Sequence, residues 1–145
     1  MKRILLFSAF ALLLATGLWQ CSPGTRYTPE NMPSKQLHWG YGGGFAGQET
    51  SFVLLENGQI FRRNGTGLAL QEVKGTKPKT AKNLFKSFDK ELKKYDFNHP
   101  GNVYSFVQFQ EGSAIRRIAW GDDKFPVEQK AKDFFNQLNA LVVEQ

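Results

Sequence analysis

The spacing of apolar residues changes along this chain, and each spacing predicts a different element. Ile4 to Ala15 is a nearly unbroken apolar run of twelve residues behind Met1-Lys2-Arg3. It is too short for a comfortable transmembrane helix, and its position suits a secretory signal. From Leu37 the period becomes two. Phe52 and Leu54 alternate with Val53 and Leu55, then Asn57-Gly58 leads into Gln59-Ile60-Phe61-Arg62. Asn-Gly between such runs signals a tight hairpin whose two turn residues both take positive φ. Asn64-Gly65 leads into Leu68 to Val73 in the same way, giving strands over about 36–43, 48–56, 59–63 and 67–73.

The period then lengthens. Ala81, Leu84, Phe85, Phe88, Leu92 and Tyr95 recur at steps of three and four, which predicts an amphipathic helix with Thr80 as N-cap. Asn98 to Asn102 reads as a turn. Val103–Gln110 and Ser113–Trp120 form a second hairpin about Glu111-Gly112. Val127, Ala131, Phe134, Phe135, Leu138, Leu141 and Val142 mark one face of a C-terminal helix with Pro126 in its first turn. The predicted fold is α+β: an antiparallel sheet in ββββ-α-ββ-α order with both helices on one face.

Composition narrows the setting. Cys21 is the only cysteine, so no internal disulfide can form. Ser22 to Lys35 carries three prolines and few apolar residues, and reads as a flexible tether. The expected organisation is therefore a signal over 1–20, Cys21 and tether over 21–35, and one domain over 36–145. Loss of Lys2 and Arg3 with the signal would leave four of the six net positive charges. That is far below the basic density of a nucleic-acid binder.

Candidate chemistry is sparse. The histidines are His38, placed on a strand facing solvent or the sheet edge, and His99, in a His-Pro-Gly turn where a hydrogen-bonded structural ring is the simplest role. Asp122-Asp123 is the best carboxylate pair. It is read as capping the last helix, against metal binding, because no other ligand stands at a recognised spacing. Asp89 and Glu91 are two apart on a helix and do not converge. A hydrolase would have to use His99 with Asp122-Asp123. The expectation is a domain that is not an enzyme and needs no cofactor or metal. Lys74, Lys77, Lys79, Lys82, Lys86, Lys90, Lys93 and Lys94 form a basic region, either a solvated helix face or one suited to anionic lipid or lipopolysaccharide.

The densest local signal is His38 to Gly47, with five glycines and three aromatics. Such a segment permits positive φ, bulges and close backbone approach. Gly43, Gly44, Phe45, Ala46 and Gly47 form either a loop presenting Phe45 to a partner or a wide turn with Phe45 tucked into the sheet. A phosphate loop is not indicated, since no Gly-Lys-Ser/Thr follows.

Three resemblances bear on function. Leu18-Trp19-Gln20-Cys21 resembles a lipobox, with Gln20 where Gly, Ala or Ser is usual. It implies lipidation at Cys21, as against ordinary cleavage near Gly17 and a free thiol. Ser22 after the Cys then suggests the outer membrane, with the domain facing the periplasm. Gly43-Gly44-Phe45-Ala46-Gly47 resembles the signature of emfourin-like proteins, whose founding type inhibits thermolysin-family metallopeptidases. The chain over 37–143 also resembles small lipoproteins of Bacteroidetes-type bacteria, through Gly42–Gly47, Leu54–Gly58, Phe97–Asn102 and Trp120–Asp122. Together they imply a lipid-anchored envelope protein binding a metallopeptidase or another envelope protein. The alternative is an accessory lipoprotein of an envelope complex.

Overall fold

The computed structural model describes residues 24–143, so the expected signal over 1–20 and Cys21 lie outside the described residues. The elements are β1 (Lys35–Gly43), β2 (Gln48–Leu54), β3 (Ile60–Asn64), β4 (Gln71–Val73), α1 (Pro78–Glu91), β5 (Asn98–His99), β6 (Val103–Glu111), β7 (Ala114–Trp120) and α2 (Gln129–Val143). The strands form one sheet in the order β4-β3-β2-β1-β6-β7-β5. All neighbours are antiparallel except β5, which pairs parallel with β7. The α+β class and mostly antiparallel sheet agree with the sequence pattern, but the order is ββββ-α-βββ-α. The extra strand is the Asn98–His99 dipeptide, expected in a turn. Two residues are too few to show alternation, and only the open edge of β7 makes them a strand.

Strand alternation divides the side chains cleanly. On the first face Leu37 opposes Leu54 and Phe109, and Trp39 opposes Phe52 and Val107. These residues form one core with Ala81, Leu84, Phe85 and Phe88 of α1 and Ala131, Phe134, Phe135 and Leu138 of α2. Both helices therefore cover this face. Aromatic packing locks them down: the Phe88 ring lies 5.2 Å from Phe109 and 5.8 Å from Phe134, and Trp39 stacks 5.1 Å from Phe52. Trp39 buries its one polar atom by donating from Nε1 to Asn139 Oδ1 at 3.1 Å.

The second face has no helix. Val53, Leu55 and Phe61 are buried there beneath Tyr27, Met32 and Leu70. Residues 24–33 thus pack on the sheet where a tether was expected. Gln59 explains why: its side-chain oxygen accepts from Tyr27 N at 2.8 Å and its amide donates to Tyr27 O at 3.1 Å. Asn57 Nδ2 donates to Thr25 O at 2.7 Å, and Arg26 pairs with Glu72 at 2.9 Å. Tyr27 and Met32 supply apolar anchors among the prolines, a contact that proline content alone hides.

Local expectations are corrected at three further points. Pro78 opens α1 and Lys77 is its N-cap, without a side-chain cap bond, so Thr80 lies inside the helix. Pro126 precedes α2, and Asp122 makes a turn instead of capping it, accepting from Lys124 N at 2.9 Å. In both Asn-Gly turns only the glycine takes positive φ. Asn57 keeps negative φ because its side chain is engaged: Oδ1 accepts from Gln59 N at 3.0 Å.

Candidate functional site

The glycines between Gly40 and Gly47 serve two separate purposes. Gly40 and Gly42 lie in β1 on the second face. A Cβ on Gly40 would collide with Thr50 O and press on the Phe106 ring, and one on Gly42 would crowd Tyr104 Oη. Their bareness leaves room for two aromatics of β6 against the central strand. Gly43 turns the chain out of the sheet with φ +97°, where a Cβ would also collide with Asn102 O. Gly44 N donates to that same Asn102 oxygen at 2.7 Å, and Gly47 N closes the loop on Gly44 O at 3.1 Å.

The loop so formed is anchored at its base and bare at its tip. Phe45 is fully exposed, which settles its placement against the tucked-in alternative. Gly43, Gly44, Ala46 and Gly47 serve as its stand. Tyr41 and Val103, on the first face at the same end of the sheet, are also largely exposed. Beside Tyr41 a cavity of about 270 Å³ opens between Phe52, Arg62 and Val73 of the sheet and Asn139, Val142 and Val143 of α2. Exposed aromatic and aliphatic groups beside a small concavity have the composition of a protein-contact surface.

A second cluster escaped the sequence reading. On the second face Tyr104 OH donates to Glu49 Oε2 at 2.8 Å, and the Arg117 guanidinium approaches that carboxylate and Gln108 Oε1 at 3.4 Å each. The guanidinium lies 3.7 Å from the Phe106 ring centroid, a close cation–π contact that seals the ring from water. Hydrogen bonding to Glu49 raises the pKa of Tyr104, with burial adding to it. His38 stands on the same face with Nε2 3.0 Å from Gln36 Oε1. Burial, helped by the charges of Arg63 and Arg117, pulls its pKa down to about 4. The ring is therefore neutral at pH 7 and half-buried, not turned to solvent. The period-two register of β1, β2, β6 and β7 could have grouped these residues, once the non-sequential β1–β6 pairing was known.

His99 and Asp122, the residues a hydrolase would have to use, are neighbours linked through the backbone. His99 lies in β5, its ring stacked 4.1 Å from Phe125 and edge-on to Phe97 at 4.9 Å. This is an aromatic packing role. Asp122 is joined to His99 through backbone, its N–H donating to His99 O at 3.1 Å, while its carboxylate faces Lys124 N. Among the described residues no three of His, Cys, Asp and Glu converge as metal ligands. No helix among them is long and apolar enough to cross a membrane. A second cavity of about 580 Å³ lies at the opposite end of β1 from the glycine loop, lined in part by Gly24, Lys35, Glu56, Pro78 and Lys82. No family model and no curated protein matches this chain.

Proposed function

We propose that the chain is a lipid-anchored envelope protein whose domain binds another protein through the Gly43–Gly47 loop and performs no catalysis. The target class is secreted metallopeptidases of the thermolysin type, in keeping with the emfourin-like Gly43-Gly44-Phe45-Ala46-Gly47 sequence. The observation that carries this reading is Phe45: a large apolar ring, fully exposed, on a loop pinned at Gly44 to Asn102. Exposing it costs hydration free energy that burial against a partner would recover. The apolar S1′-type pocket of such peptidases suits a phenyl ring, and such an anchor carries about 2 kcal/mol or more of binding energy.

The test is inhibition of a thermolysin-type peptidase by residues 22–145. Micromolar wild type should inhibit, and Phe45→Ala should inhibit about 30-fold less well, the equivalent of about 2 kcal/mol. A fully active peptidase at that concentration removes the inhibitor assignment. Equal inhibition by both proteins keeps it but moves the contact away from Phe45. The second reading, an accessory lipoprotein of an envelope complex, is favoured by the exposed Tyr41 and Val103 around the same loop. Crosslinking from Phe45 to a non-peptidase envelope protein would select it.

A further inference from the structure

The two ends of β1 differ in kind. At its Gly43 end stands the aromatic loop. At its Lys35 end the first described residue, Gly24, shares the larger cavity with Lys35, Pro78 and Lys82. Helix α1 lies across this end of the strands. It starts beside the β2–β3 turn, where Thr76 N donates to Gly58 O at 2.8 Å. It then lays Phe85 and Phe88 on Phe109, near the end of β6. With Ala81, Leu84, Phe85 and Phe88 buried, the opposite side of α1 carries Lys79, Lys82, Lys86 and Lys90, all exposed. These four span about 16 Å of helix. None forms an ion pair with another described residue, whereas Asp89, the acid nearest the stripe, is held by Lys93 at 3.5 Å. The outer side of α2 has no comparable stripe, since Lys132 there is followed by Asp133.

Cys21 stands three residues before Gly24, a reach of at most about 10 Å. Because residues 24–33 are docked on the sheet, that short reach begins at the α1 end of the domain. We propose that α1 is a membrane-contact helix: its Lys79, Lys82, Lys86 and Lys90 face lies on the anionic phospholipid surface that holds the Cys21 lipid. This rests on the lipid-anchor reading above. The sheet on which α1 packs then stands one packing layer, about 10 Å, behind the helix axis, and β1 carries Phe45 away from α1 toward the far end of that sheet. Attraction to an anionic leaflet strengthens binding by about five-fold per basic residue, so the loss of three lysines would shift the docked population about 100-fold.

The experiment uses the full chain, processed and acylated in a bacterial host, then reconstituted into vesicles. Single cysteines placed by Asn83→Cys or Phe45→Cys carry a fluorophore, and lipids with a headgroup quencher report proximity. In phosphatidylcholine–phosphatidylglycerol vesicles the Asn83→Cys label should be quenched several-fold more than the Phe45→Cys label. The difference should shrink in pure phosphatidylcholine, at high salt, and in a Lys82→Gln, Lys86→Gln, Lys90→Gln background. Detergent-phase partitioning is measured in parallel and should be unchanged by the lysine substitutions. A chain that partitions into detergent but shows equal quenching at both positions overturns the membrane-contact helix and leaves the anchor standing. A chain that stays in the aqueous phase overturns both.

Discussion

The two faces of the sheet use the same alternating strands and reach burial by different physics. On the first face, helices α1 and α2 cover Leu37, Trp39, Val107 and Phe109 with aromatic and aliphatic side chains. On the second, Phe106 is just as dry, yet its cover is the Arg117 guanidinium, with the Glu49–Tyr104 pair beside it. The first face is held by apolar area, which carries no titrating group. The second depends on charges, hydrogen bonds and the absence of Cβ atoms at Gly40 and Gly42. The contrast shows that an uncovered sheet face can bury a large ring when the central strand is made of glycine and a long cationic side chain closes over it.

If that contrast is right, the largest single losses lie on the first face. Phe134, fully buried between α2 and Phe88, should cost about 3–5 kcal/mol on truncation to Ala, read as a lower denaturant midpoint at constant slope. A loss under 1 kcal/mol would mean that α2 is not docked as described.

The second face should instead respond to acid. Burial, with the charges of Arg63 and Arg117, depresses the pKa of folded His38 to about 4 from its ordinary value of 6.5. Well above pH 6.5 both folded and unfolded rings are neutral and His38 adds nothing to the pH dependence of stability. As pH falls from 6.5 toward 4 the unfolded state takes up the proton first, so stability drops, by roughly 3 kcal/mol at most. His38→Gln should flatten this window in melts run from pH 7 to pH 4, whereas Phe134→Ala should leave it in place.

Gly40→Ala tests the bareness of β1. Its Cβ meets the backbone of Thr50 and Ser51, which cannot rotate away, so a loss of about 1–3 kcal/mol is expected. A neutral effect would show that Phe106 does not need the gap. Arg117→Ala removes the cover of Phe106 and should cost about 1 kcal/mol, with the loss reduced in high salt. Salt-independent loss would assign the role to the aliphatic stem alone.

Phe45→Ala marks the smallest expected effect. A side chain in open solvent should change stability by less than about 0.5 kcal/mol, and thermal melts should superimpose on wild type. A clear drop would mean that Phe45 packs on the domain and would remove it as a free contact group.

Much of the local architecture was legible in the residues. Phe52-Val53-Leu54-Leu55 must present apolar groups to both faces of a strand, and Ala81, Leu84, Phe85 and Phe88 can share a side only on a helix. The exposed stand of Phe45 was half legible: glycines announce a turn, but whether the ring folds back depends on what lies beside the loop. Only the tertiary structure decided that Asn102, 58 residues further along the chain and just ahead of β6, would pin Gly44 and leave the ring outside. It alone made Asn98–His99 a strand, because a dipeptide has no period and becomes a strand only against the free edge of β7. It alone docked residues 24–33, because the partners of Tyr27 and Thr25 are Gln59 and Asn57, polar residues spent in a distant turn. And it alone gathered Glu49 with Tyr104, Phe106 and Arg117: the hairpin that carries the last three was readable, but its placement beside β1 and β2 was not. Periodicity is a property of neighbours along the chain. Pairing of β1 with β6 is set by which arrangement buries the most apolar surface for the whole domain, and no window of the sequence contains that comparison.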